Sequence, residues 1–262
     1  MSITLLSTDF DGTLVGFNTH SACPRSFARM IEAHVGGGGI WAINTGRSLI
    51  HLDEGLYRFD PPVQPQYAIT LEREIFHKGD GGVWEPLGDW NRICEERHDR
   101  LFTECTEMWE FVARLTRGRH DVSVIPGEKY PEGFVTRSEA LMSELCAQLD
   151  AMGRHHPEFG YQRNTVYLRF CHRAYNKGTA LAALAKDRSV PRAEVMAAGD
   201  HFNDLSMLDA SAAAMCACPA NAIREVKDRV RLSDGYVAGK NFAEGVAEAF
   251  EWFERSATES VK

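Results

Sequence analysis

The sequence predicts an α/β protein: a doubly wound parallel sheet core into which a second, smaller α+β unit is inserted. Short apolar runs of strand length alternate with helical segments at both ends of the chain, the pattern of a parallel sheet covered by helices. In the middle the order changes to helix, strand, strand, and this unit occurs twice, which makes a small antiparallel sheet covered by two helices. The polar clusters lie where strands of the outer segments end, and open α/β sheets hold their chemistry at that end.

The first strand is the run Ile3-Thr4-Leu5-Leu6-Ser7-Thr8, which leads into Asp9-Phe10-Asp11-Gly12-Thr13-Leu14. A helix over 24–35 ends in the glycines at 36–39, and a strand over 40–43 ends in Asn44-Thr45-Gly46-Arg47. A helix over 48–57, a strand over 67–70 and a short strand over 74–77 follow, with Glu72 and Arg73 expected near the mouth of the site. The inserted unit is read as a long helix over 90–116, strands over 122–125 and 133–136, a helix over 138–152 and strands over 159–162 and 165–170. Its expected limits are 79–171, leaving 1–78 and 172–262 as the core. The two crossings are Gly79-Asp80-Gly81-Gly82 and Cys171-His172-Arg173, the first having the backbone freedom of a hinge. Lys177-Gly178 opens a helix over 179–187, and a strand over 194–198 runs into Gly199-Asp200-His201-Phe202-Asn203-Asp204. Asn203 and Asp204 also suit the cap of a helix over 205–210, and 212–218 is an apolar, strand-like run.

Composition narrows the function classes. At 262 residues, 44 % apolar and 25 % charged, the chain has an ordinary globular makeup. A formal charge of −8 with no local Lys/Arg block argues against a nucleic-acid partner. No apolar stretch approaches the roughly 18 residues of a membrane span, and no basic segment precedes the first strand, so neither a membrane nor a signal peptide is expected. Seven scattered cysteines read as reduced thiols of the cytoplasm. Cys216-Ala217-Cys218 is either a metal or redox pair or, lying in an apolar run, packing; Trp90 and Trp109 read as core of the inserted unit.

Residues two apart on an extended chain point the same way, so Asp9 and Asp11 can face one site. Two adjacent carboxylates repel, and a hard, all-oxygen site of this kind suits Mg²⁺. The plainer alternative is a strand-end turn that favours Asp and Gly. Lys177 at a helix N-terminus, beside free backbone N–H groups, is well placed for an anion, or is a surface lysine. Arg47 either reaches a second anionic group of a substrate or packs its stem.

With Asp9-Phe10-Asp11-Gly12-Thr13, Asn44-Thr45-Gly46-Arg47, Asn176-Lys177-Gly178 and Gly199-Asp200 with Asn203-Asp204 in this order, the chain resembles the haloacid dehalogenase-like phosphohydrolases. The insertion is similar to the cap of the sucrose-phosphate phosphatase and Cof-type branch. One departure stands out: Leu71-Glu72-Arg73-Glu74-Ile75 replaces the Asn-Gly that many Cof-type members carry there. The resemblance implies a Rossmann-like core and hydrolysis of a small phosphorylated metabolite, a sugar or sugar-acid phosphate, through an aspartyl phosphate. It makes Asp9 the nucleophile and Asp11 the general acid and base. Thr45 and Lys177 would grip the phosphoryl group, with Gly46, Arg47 and Asn203 assisting substrate binding. Mg²⁺ would be held by Asp9, Asp200 and the backbone carbonyl of Asp11, and Asp204 would orient Lys177 or a metal-bound water. Substrate choice would lie with the cap, where the turn 126–130 offers Lys129 and Tyr130. A phosphomutase of the same superfamily and a non-catalytic binding module are the alternatives.

Overall fold

The computed structural model describes residues 2–16, 22–79, 81–127 and 130–259; Asp80 of the first expected crossing and Lys129 lie outside the described residues. The chain divides into two compact units, Met1–Asn91 with Asn176–Lys262, and Arg92–Tyr175. In chain order the elements are β1 (Leu5–Thr8), α1 (Arg25–Gly36), β2 (Ile40–Asn44), α2 (Leu49–Phe59), β3 (Tyr67–Thr70), β4 (Glu74–Lys78), β5 (Trp84–Pro86), α3 (Trp90–Glu104), α4 (Thr106–Thr116), β6 (Val122–Ile125), β7 (Gly133–Thr136), α5 (Glu139–Gly153), β8 (Phe159–Asn164), β9 (Tyr167–His172), α6 (Lys177–Asp187), β10 (Val195–Ala198), β11 (Met215–Cys218), α7 (Arg224–Leu232), β12 (Tyr236–Val237) and α8 (Phe242–Glu259).

In the first unit the strands form an eight-stranded sheet in the order β12-β11-β10-β1-β2-β3-β4-β5. Pairings from β12 through β3 are parallel, and β4 and β5 extend one edge antiparallel. Alternation along each strand divides its side chains between two cores. Leu6, Trp41, Ile43 and Met196 pack with Phe27 and Ile31 of α1, Leu56 and Phe59 of α2 and Val246 of α8. Leu5, Ala42, Val195 and Ala197 pack with Leu181 and Leu184 of α6 and Val226 and Val230 of α7. Both sheet faces are therefore buried, which explains why the parallel strands read as unbroken apolar runs. β1 is central, with Thr8 level with Ala198 on one side and Ile43 on the other, so the loops after β1, β2 and β10 leave the sheet at one end.

The second unit has a four-stranded antiparallel sheet, β6-β7-β9-β8. Phe134, Phe159, Leu168 and Phe170 of this sheet pack on Leu101, Met108, Trp109, Val112, Met142 and Leu145 of the helices. Trp109 is central: it stacks on Phe102 and Tyr130 with centroids 4.8 and 5.4 Å away. Among the described residues, no helix of either unit is long and apolar enough to cross a membrane.

The structure departs from the sequence reading in several places. The single helix over 90–116 is two, because Cys105 leaves the helical region (φ −85°, ψ 49°) and the Phe102 carbonyl takes the Trp109 indole N–H at 3.0 Å. The first unit also continues beyond residue 79. β5 pairs with β4, the Trp90 indole donates to the Arg73 carbonyl at 2.7 Å, and the Asn91 side chain bonds both backbone groups of Ile75. Trp90 therefore packs in the first unit and Trp109 in the second. At the return crossing, β9 runs to His172, and the second unit ends at Tyr175. No α-helix forms over 205–210, since the Asp204 carboxylate turns back to the amides of Asp200 and His201 and closes a 3₁₀ turn over Phe202–Asp204. β11 starts at Met215, three residues later than read.

Candidate active site

β1 delivers Asp9, whose backbone N–H is anchored on the Ala198 carbonyl at 2.9 Å. Lys177, the first residue of α6, is fully buried, and its Nζ donates to Asp9 Oδ1 and to Asp204 Oδ1, both at 2.6 Å. The helix start is fixed by a capping box in which Asn176 accepts from the Gly178 and Thr179 amides and the Thr179 hydroxyl accepts from the Asn176 N–H. Asp204 Oδ2 accepts from the Asp200 and His201 amides at 2.8 and 3.0 Å, and Asp200 Oδ1 accepts the Thr13 hydroxyl at 2.9 Å. Ligand oxygens of Asp9, Asp200 and Asp204 lie within 4.8 Å of one another. Gly12 makes the approach possible: it sits at φ +88°, and a Cβ there would lie 2.2 Å from Asp200 Oδ2. Asn221 fixes this turn by donating to the Gly12 carbonyl at 2.7 Å while accepting the Phe242 N–H at 2.8 Å.

Three buried carboxylates face one ammonium, an imbalance the titration behaviour reflects. Burial pushes Asp9 well above the usual carboxylate range; Lys177 opposes the shift, and Asp204 and Asp200 add to it. Asp200 is pushed up to about 7 by burial and then by Asp204, against the Thr13 hydrogen bond. Burial works against the charge on Lys177, but Asp204, Asp9 and Glu72 outweigh it and hold the amine protonated beyond its ordinary range. Asp204 spends both oxygens on protein donors, whereas Asp9 Oδ2 and Asp200 Oδ2 have no hydrogen-bond partner among the described residues. An oxygen-only donor set with surplus negative charge and two available oxygens fits a hard divalent cation.

Thr45, Asp11, Arg47 and Asn203 belong to the same unit as this centre. Thr45 is buried; its N–H donates to the Ile69 carbonyl at 2.8 Å, and its hydroxyl accepts the Arg47 N–H at 3.2 Å. Asp11 stands apart from the carboxylate triad. Both its oxygens are held by Arg47, Nε to Oδ2 and Nη2 to Oδ1 at 2.6 Å each, and Arg47 also lies over the Phe10 ring and donates to the His51 carbonyl. Arg47 thus does what neither of its two sequence readings anticipated. Asn203 donates to Glu72 Oε1 at 2.8 Å, and both are buried. Tyr130 stacks on Trp109 inside the second unit. Cys216 and Cys218 are buried in β11, where burial pushes their thiols up to about 11 and 12, as packing residues rather than a thiolate pair.

From sequence, Thr13, Asn44 and Asn221 have no site role, and Glu72 is placed only near the mouth of the site. Asn44 donates to the Lys177 carbonyl at 3.0 Å, completing the join between β2 and α6. Thr13 and Asn44 belong to the quoted motifs and could have been found there; Asn221 has no local signal, because its partners lie 209 and 21 residues away.

A family model described as haloacid dehalogenase-like hydrolase matches residues 133–250. The chain is 28 % identical over 214 residues to a glucosylglycerol-phosphate synthase of Pseudomonas anguilliseptica, covering 81 % of this chain but only 26 % of that protein, so it spans about a quarter of that relative's length. It is 25 % identical over 284 residues to a Streptococcus pyogenes serotype M6 protein that carries a provisional phosphatase name, covering 95 % of this chain and 97 % of the relative. Among solved structures, the sucrose-phosphatase of Synechocystis sp., determined with sucrose and phosphate, shares the fold with a TM-score of 0.71 at 19 % identity, over 97 % of this chain and 99 % of that one.

Proposed function

We propose that the chain, similar over residues 133–250 to the haloacid dehalogenase-like hydrolases, is a phosphatase that hydrolyses a small sugar phosphate, with Mg²⁺, through an aspartyl phosphate on Asp9. One observation carries this reading: a buried ammonium, Lys177, bonds both Asp9 and Asp204 at 2.6 Å, with Asp200 adjoining them and Asp11 two residues beyond the nucleophile. A phosphate monoester resists direct attack by water, and a carboxylate nucleophile divides the reaction into two displacements.

In the first displacement the Asp9 carboxylate attacks phosphorus with one oxygen while the other remains for the metal, the bond from phosphorus to the leaving oxygen breaks, and Asp11 gives a proton to the departing alkoxide. In the second, Asp11 takes a proton from water as that water attacks the phosphoenzyme. Both Asp11 oxygens accept from Arg47, so proton uptake requires one of these bonds to open. Lys177 and the Thr45 hydroxyl position the phosphoryl oxygens and offset their charge. Asp9 and Asp200, with the Asp11 carbonyl, would hold Mg²⁺, which when bound supplies charge neutralisation at the transferring group. Support for sugar phosphates comes from the relatives: one named for glucosylglycerol phosphate, the other determined with sucrose and phosphate. The unit Arg92–Tyr175, inserted between the Thr45 and Lys177 motifs, is assigned substrate selection.

The test is phosphate release from a panel of sugar phosphates, sucrose 6-phosphate and glucosylglycerol phosphate included, with and without EDTA and added Mg²⁺. Activity that survives exhaustive chelation would refute the metal assignment; phosphate that appears only with a bisphosphate activator would indicate a mutase.

A further inference from the structure

The turn joining β3 to β4 is built from residues ill suited to it. Thr70 pairs with Glu74, leaving 71–73 as the turn, and Leu71 and Glu72 are consecutive non-glycines at φ +48° and +65°. Tight hairpin turns of this kind ordinarily take Asn-Gly, because L side chains with a Cβ are strained in the left-handed region. What the chain gains is the placement of Glu72. The Leu71 N–H donates to the Arg47 carbonyl and the Glu72 N–H to the Thr45 carbonyl, each at 3.0 Å. The buried Glu72 carboxylate lies over the same loop, since a Cβ on Gly46 would sit 3.3 Å from its Oε1. That oxygen also receives the Asn203 amide at 2.8 Å. A carboxylate only accepts, so it dictates which way the Asn203 amide faces; Asn203 Oδ1, buried, is left without a hydrogen-bond partner among the described residues.

We propose that Glu72 is a positioning residue that ties the Thr45 loop, the β3–β4 turn and Asn203 into one rigid phosphoryl-gripping edge of the site, and that the strained turn is retained to hold it there. The inference rests on the phosphatase reading and adds a residue to it. It separates strain from function along the chain: Leu71 carries only strain, Glu72 carries strain and the brace.

The experiment compares Leu71→Asn, Glu72→Gly, Glu72→Asn and Glu72→Gln with wild type. It reads kcat/KM for a sugar phosphate and for p-nitrophenyl phosphate, the dissociation constant of inorganic phosphate by calorimetry, and the melting temperature. Leu71→Asn should melt about 2 °C or more higher with activity unchanged. Glu72→Gly and Glu72→Asn remove the brace while suiting the backbone. They should melt no lower than wild type, yet lose at least about tenfold in kcat/KM on both substrates and bind phosphate correspondingly more weakly. Glu72→Gln keeps an acceptor for Asn203 and should stay within about threefold of wild type. The proposal is overturned if Glu72→Gly and Glu72→Asn keep wild-type kcat/KM and phosphate affinity, if their losses merely track a lowered melting temperature, or if Glu72→Gln fails as badly as Glu72→Gly. Phosphate affinity needs no turnover, so it tests the brace even if no substrate in the panel is cleaved, an outcome that would count against the phosphatase reading alone.

Discussion

Replacing Lys177 with Met removes a buried cation while nearly keeping its volume, and the size of the effect follows from burial. Lys177 is 0 % exposed, and its partners Asp9 and Asp204 are 6 and 1 % exposed. Arg231 and Asp228 in the same unit make an ion pair at 2.9 Å, but with side chains 59 and 51 % exposed. Contact distances are similar; solvent is not. Deleting one partner of a buried pair strands the other charge and destabilises by about 3–5 kcal/mol, whereas an exposed pair is worth about 0.2–1 kcal/mol. In EDTA, Lys177→Met should therefore lower the melting temperature of this unit by about 6 °C or more, and Arg231→Ala by a few degrees at most. The loss should be greater at pH 8 than at pH 6, because Asp200, pushed up to about 7, holds less of a proton at the higher pH to relieve the repulsion. Thermal melts of the three proteins at both pH values, with urea midpoints as a cross-check, decide the matter. Equal shifts for Lys177→Met and Arg231→Ala at pH 8 would refute the claim that burial sets the strength of this pair.

Asp9→Asn should lower phosphate release by more than about a hundredfold, equivalent to about 2.7 kcal/mol of barrier, with circular dichroism unchanged and no phosphoenzyme by mass spectrometry. The Asp200 pKa, raised from 3.8 to about 7, means the folded state binds its proton more tightly than the unfolded state does. Its contribution to stability is thus present at low pH and lost as pH rises from about 4 to 7, by about 4 kcal/mol on integration. In EDTA, wild type should lose stability relative to Asp200→Asn across that window, and saturating Mg²⁺ should flatten the difference; a difference that stays constant with pH would contradict the shift. Gly12→Ala puts a Cβ 2.2 Å from Asp200 Oδ2 at φ +88°, so it should destabilise by at least about 1–2 kcal/mol and raise the Mg²⁺ concentration needed for half-maximal activity. A Gly12→Ala protein with unaltered Mg²⁺ response would show that the turn does not set Asp200.

Much of the first unit was legible because its signals are local. β3 over Tyr67–Thr70, and in the second unit β6 and β7, match the sequence reading to the residue, from β-branched and aromatic runs between turn residues; Asp9, Thr45 and Asp200 stand out at strand ends and Lys177 at a helix start. The misses arise where tertiary contacts override local pattern. Nothing in the helical periodicity of 90–116 marks the break at Cys105, where the Trp109 indole bonds the Phe102 carbonyl seven residues back. β5 has three residues, one of them proline, and is a strand only because β4 is beside it. The Glu72–Asn203 and Asn221–Gly12 bonds join residues 131 and 209 positions apart, a separation at which no spacing rule operates.

The position of β1 has a consequence for how the chain is made. Its neighbour β2 leaves the ribosome soon afterwards, but its other neighbour, β10, begins at Val195. At about 5–20 residues per second, β1 therefore waits roughly 10–40 s with one margin unpaired. For most of that interval Asp9 has neither Lys177 nor Asp200 beside it, their separations being 168 residues for Lys177 to Asp9 and 187 for Asp200 to Thr13. A nascent chain with an open, apolar β1 margin is a template for wrong pairing, and β1 is only four residues long before Asp9-Phe10-Asp11-Gly12 ends it. The finished site closes only when the last of its acidic loops has been synthesised.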